Sequence, residues 1–145
     1  MRDMKVLIDT NVILDWIMSR EPNATNAKRI MEQCLFGDIE AYITSHSVAD
    51  LFYILRKDFT VDKRKALLCL LCESMEVIPE DKEIILEALR RRDWKDLEDG
   101  LQMQCAKKAG LDYIITQNLK DFQRSDVEAV NEEKFCEMIG WENDK

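Results

Sequence analysis

Short apolar runs alternate with longer amphipathic ones along this chain, and that alternation restricts the folds open to it. Residues 5–8, 41–44, 76–78 and 113–116 read as strands, and residues 127–130 as a weaker one. Between them, residues 12–18, 24–35, 47–57, 62–73, 81–90, 97–109 and 132–139 read as helices, with Gly37 and Gly110 placed as stops. In residues 47–57, Val48, Leu51, Phe52 and Leu55 share one face. Strands alternating with helices predict an α/β fold, a three-layer α/β/α sandwich with a mainly parallel central sheet.

The chain has 145 residues, with four glycines and two prolines. No linker or repeat breaks it, so residues 1–141 are expected to form a single domain and residues 142–145 a polar tail. No apolar run is long enough to cross a membrane, and the first residues lack a signal-peptide pattern, so the expected location is cytoplasmic. Five cysteines, an odd number, argue against a disulfide framework. Cys69 and Cys72 form a C-x-x-C, but the apolar stretch around them favours buried helix cysteines over a zinc or redox site. A formal charge of -8, taken alone, argues against broad nonspecific nucleic-acid binding, while leaving room for local basic clusters such as 90–92.

In a parallel sheet the carboxyl ends of all strands lie on one edge, and ligands bind just beyond it. Four polar stations fall at such places. They are Asp9-Thr10-Asn11, the stretch from Ser45 to Asp50, the stretch from Asp93 to Asp99, and Thr116-Gln117-Asn118 leading to Asp121. Any one of them alone reads as ordinary capping or turning. Together they bring Asp9, Asp50, Asp99 and Asn118 toward one rim. Close carboxylates repel, and a divalent cation removes the conflict. Oxygen donors point to Mg²⁺ or Mn²⁺, of the kind used in phosphoryl chemistry. His46, the only histidine, reads as a capping or surface residue without a catalytic role.

The segment from Leu7 to Asp15, with Asp9-Thr10-Asn11 at its centre, resembles the opening of PIN domains. The helix head Asp96-Leu97-Glu98-Asp99-Gly100 resembles the family's central acidic motif, and Thr116-Gln117-Asn118-Leu119-Lys120-Asp121-Phe122 its closing T-x-N-x-x-D-F motif. The resemblance implies a metal-dependent ribonuclease; many small members are VapC-like toxins that pair with an antitoxin protein and form homodimers. It assigns Asp9, Asp99 and Asp50 to metal ligation, with Asp50 standing where the family usually has Glu. Asn118 and Asp121 fall at the last acidic station, with Asn11 and Thr116 as supporting polar residues. Asp50 is one methylene shorter than Glu, and Asn118 is neutral where some members carry Asp.

The expected activity is hydrolysis of RNA phosphodiester bonds, with Asp9, Asp50, Asp99, Asn118 and Asp121 as the catalytic set. Arg56, Lys57, Lys107 and Lys120 are candidates for backbone contacts. The alternative is a PIN-like RNA- or protein-binding module with a degenerate metal site. A phosphatase of the haloacid dehalogenase type is disfavoured by Asn11, which stands where its second Asp belongs. A response-regulator receiver lacks its acidic pair and phosphoacceptor Asp here, and a dinucleotide fold lacks its G-x-G-x-x-G. Trp16, Trp94 and Trp141 are expected in the core.

Overall fold

The computed structural model describes residues 4–37 and 39–140. Five parallel strands form one sheet in the order β3-β2-β1-β4-β5, where β1 is Met4–Ile8, β2 Ile39–Thr44, β3 Glu76–Ile78, β4 Tyr113–Ile115 and β5 Ala129–Val130. Each strand lies within one or two residues of its expected position. The helices are α1 (Thr10–Ile17), α2 (Ala24–Phe36), α3 (Ser45–Ile54), α4 (Val61–Ser74), α5 (Lys82–Arg90), α6 (Leu97–Lys108) and α7 (Glu132–Met138).

The pleat of β1 explains the layers. Val6 and Ile8 point to one face, where they pack with buried residues of α1, α2, α3, α4 and α7; Leu7 points to the other, against α5 and α6. Val6, Leu7 and Ile8 are all essentially fully buried, as expected for the central strand of a sheet covered on both sides. This is the three-layer α/β/α sandwich.

Local signals set the helix ends that matter for the rim. Thr44 Oγ1 accepts from the Ser47 N–H at 3.3 Å and starts α3 two residues ahead of its expected start. The expected single helix over 47–57 closes instead as α3 followed by a 3-10 turn at Leu55–Lys57. Asp96 Oδ1 accepts from the Asp99 N–H at 3.1 Å and caps α6. At its far end Gly110 adopts φ +68° and its N–H reaches the Lys107 carbonyl, a stop that a Cβ would strain.

The C-x-x-C expectation is overturned: Cys69 and Cys72 are exposed. The buried face of α4 is Arg64, Leu68 and Leu71; helical periodicity turns Cys69 away from it and leaves Cys72 at its edge, so both thiols reach the surface. Trp16 packs against the core and Trp94 against the α5–α6 layer. Trp141 and the expected tail lie outside the described residues.

Candidate active site

The strand order reverses direction at β1: the chain moves outward to β2 and β3, then returns to β4 on the other side. The crevice beyond the carboxyl ends of β1 and β4 is therefore the topological switch point, where open α/β sheets bind ligands. Asp9 leaves β1 there, its N–H bonded to the Ile115 carbonyl at 3.0 Å.

Asp9 stands at the start of α1 but makes no side-chain cap bond. Its carboxylate turns inward. Oδ1 accepts from Gln102 Nε2 at 2.9 Å and Oδ2 from Thr116 Oγ1 at 2.7 Å, and Asp9 is only 6% exposed. Capping is thus excluded for Asp9. Ser47-x-x-Asp50 does not form a capping box either, because Thr44 is the cap and both residues lie inside α3. At the third station Asp96 does cap, which leaves the Asp99 carboxylate, one turn in, for the cavity. Thr116 Oγ1 also accepts from the Asn118 N–H at 3.0 Å.

One cavity of about 220 Å³ is lined by Asp9, Asn11, Asp50, Asp99, Asn118 and Asp121, joined by Thr10, Ile54, Asp96, Glu98 and Gln102. Thr116 supports it through Asp9. Asp99 is pushed up to about 7 by burial first, then by the charges of Asp96, Asp9, Asp121 and Glu98. Crowding that holds a carboxyl half-protonated near neutrality is what a divalent cation relieves. Gln102 Oε1 is buried in the same place without a hydrogen-bond partner. The oxygen-rich donor set therefore fits a hard divalent ion.

Within this rim Asp50 leans another way. Among the described residues, the set of three whose ligand atoms fall within 4.8 Å of one another is His46, Asp50 and Glu98, rather than Asp9, Asp50 and Asp99. Burial opposes charge on the His46 ring, yet hydrogen bonding to Glu80 and the charges of Glu80, Glu98 and Asp50 raise its pKa overall. Glu98 is raised by burial and by Asp50 beside it. His46, read from the sequence as a cap or surface residue, is thus part of the rim. Gln102 was also missed, although it lies three residues beyond Asp99, a spacing that places both on one helix face.

A second cavity of about 520 Å³ continues from the first and shares Asp96, Asp99 and Asp121 with it. Its walls add Arg92, Lys95, Lys120 and Arg124, with Trp94 between them. Trp94 sits edge-on to Phe122 at 5.3 Å between centroids. Of the expected phosphate contacts, Lys120 lines this groove. Lys107 is paired with Asp126 at 3.0 Å, and Arg56 stacks on Tyr53 at 3.7 Å.

A further buried acidic pair lies behind the site. Asp15 is held by Arg20 at 2.9 Å and by Gln117. Glu132, 2% exposed, is pushed up to about 8 by burial and then by Asp15.

A PIN domain family model matches residues 5–120. Ribonuclease VapC1 of Aquifex aeolicus (strain VF5) is 32% identical over 143 residues, covering 94% of this chain and 96% of that protein. Among solved structures, VapBC-1 from nontypeable Haemophilus influenzae is similar with a TM-score of 0.67 at 20% identity, covering 90% of this chain and 99% of the other. A toxin–antitoxin complex from Klebsiella pneumoniae is similar with a TM-score of 0.68 at 21% identity, covering 88% of this chain and 97% of the other. These two establish likeness of fold; the family match and the identity to the Aquifex protein go further, and this chain belongs to the PIN domain family.

Proposed function

We propose that this protein is a divalent-metal-dependent endoribonuclease and the toxin of a toxin–antitoxin pair. The observation that carries the reading is the Asp9–Asp99 cavity, in which Asp9 is fixed by two buried donors and Asp99 is crowded by four other carboxylates. The Aquifex relative, a ribonuclease by name, supports the activity, and the solved complexes support an antitoxin partner.

Asp9 and Asp99 would hold Mg²⁺ or Mn²⁺, with Asp50, Asn118 and Asp121 positioning its waters. When bound, the ion supplies a water of lowered pKa and offsets charge on the phosphate. Thr116 and Gln102 hold the Asp9 carboxylate in one orientation, so both of its oxygens are aimed before a ligand arrives. Arg92, Lys95, Lys120 and Arg124 would take the RNA backbone along the adjoining groove. Trp94 offers a ring for a base there, alongside its packing role. A homodimer belongs to the same proposal. Among the described residues no helix is long and apolar enough to cross a membrane.

The test is cleavage of single-stranded RNA by purified protein with Mg²⁺ or Mn²⁺, with and without chelator. Asp9→Asn and Asp99→Asn should each abolish cleavage while the protein stays folded. Unchanged cleavage in both variants, or full activity in chelator, would rule out the Asp9–Asp99 site as the one that cleaves, and no cleavage by the wild-type protein with either metal would leave the binding-module reading in its place.

A further inference from the structure

The rim also holds a histidine-centred cluster, of which Asp50 and Glu98 line the Asp9–Asp99 cavity while His46 has no part in the chemistry proposed there. His46, Asp50 and Glu98 each present one ligand atom, and the three atoms lie within 4.8 Å of one another. His46 Nε2 is buried and has no hydrogen-bond partner. The other ring nitrogen, Nδ1, is engaged by Glu80 Oε2 at 2.5 Å, with Thr44 Oγ1 at 3.1 Å. Glu80 is itself fixed, since its Oε1 accepts from Ser45 Oγ at 2.5 Å and from the His46 N–H at 2.6 Å. Its side chain is 7% exposed.

A carboxylate locking one imidazole nitrogen so that the other faces a cluster of donors is the arrangement that orients metal-binding histidines. A hydrogen-bonded surface histidine would not need a buried carboxylate with two further bonds behind it, nor leave its other ring nitrogen buried without a partner. We propose that His46 Nε2, Asp50 and Glu98 form a second cation site, separate from that of Asp9 and Asp99. One imidazole nitrogen and two carboxylate oxygens suit a first-row transition ion such as Mn²⁺ or Zn²⁺ better than Mg²⁺, which favours oxygen and water alone.

The site is testable by metal binding alone, whatever the outcome for RNA cleavage. Mn²⁺ is the probe, because exposed Cys69 and Cys72 would compete for a softer ion. Titration of the whole chain, followed by the free-ion electron paramagnetic resonance signal, should show two bound Mn²⁺. Pulsed measurements should show ¹⁴N coupling to one of them. His46→Ala should remove the coupling and one ion. Glu98→Gln, at an exposed helix head where folding is little affected, should weaken the coupled ion at least tenfold. Asp99→Asn should leave the coupled ion in place, and a tenfold excess of Mg²⁺ should not displace it. No ¹⁴N coupling in the wild-type protein would overturn the proposal. So would wild-type binding by the Glu98→Gln variant, loss of the coupled ion in Asp99→Asn, or its displacement by Mg²⁺. Failure of the ribonuclease reading shows up elsewhere, as no cleavage of single-stranded RNA by the wild-type protein with Mg²⁺ or Mn²⁺.

Discussion

Thr116 Oγ1 donates to Asp9 Oδ2 at 2.7 Å, joining two residues 107 positions apart that each follow a neighbouring central strand. Both are buried, so the bond is shielded from water. With Gln102 on the other oxygen, the Asp9 carboxylate has no freedom to rotate toward solvent.

Thr116→Val removes that donor at nearly constant volume. We expect metal affinity or activity to fall about 10- to 100-fold, the usual cost of losing a buried partner of a metal ligand. Thr116→Ser should retain most of the wild-type value. Mn²⁺ titration and RNA cleavage rates measure both.

Divalent metal should stabilise the folded protein through Asp99. At a metal concentration about 100-fold above Kd the gain is about 2.7 kcal/mol. In a domain of this size that is of the order of 5–10 °C in Tm. Asp99→Asn should lose most of the shift while melting at a similar or higher temperature without metal, because the crowded charge is gone. A full metal-induced shift in that variant would count against Asp99 as a ligand.

Glu132 makes stability depend on pH. Its folded carboxyl is raised from 4.5 to about 8 by burial and then by Asp15. Between these values the folded state binds more protons than the unfolded state, so stability declines as pH rises. The contribution is fully present below about 4.5 and is lost as pH passes through about 8. Glu132→Gln should flatten this decline and be the more stable protein at pH 9, as read by urea unfolding across the range.

The basic groove predicts a salt signature. Lys120→Ala and Arg124→Ala should each weaken single-stranded RNA binding across sequences. Each should also lower the slope of log K against log salt by about 0.7, the value for one phosphate contact on a single strand. Lys107→Ala, already paired with Asp126, should change the slope little.

The sheet was legible because its strands carry their own signal. Val6-Leu7-Ile8 must be apolar on both faces to lie at the centre of a covered sheet, and that shows as an unbroken run. The thiols of α4 were misread for the opposite reason: Leu67-Leu68-Cys69-Leu70-Leu71-Cys72 is apolar all round, so composition does not say which side meets the core. Leu70 is 51% exposed in spite of its chemistry. The 3-10 turn at Leu119–Phe122 gave no periodic pattern to read, since it is a single turn.

The sequence by itself determined the order of elements and the stations at which polar groups leave the strands, because both follow from local periodicity and from capping chemistry. It also carried the likeness of Asp9, Asp99 and the Thr116–Phe122 segment to the PIN domain motifs. Only the tertiary structure decided which side chains meet. Gln102 and Thr116 close on Asp9, while Asp50 turns to His46 and Glu98. Apart from His46 and Asp50, which share one face of α3 at a spacing of four, those pairings depend on strand order and helix rotation, which bring together residues about 50 to 100 positions apart, and no local pattern encodes such distances.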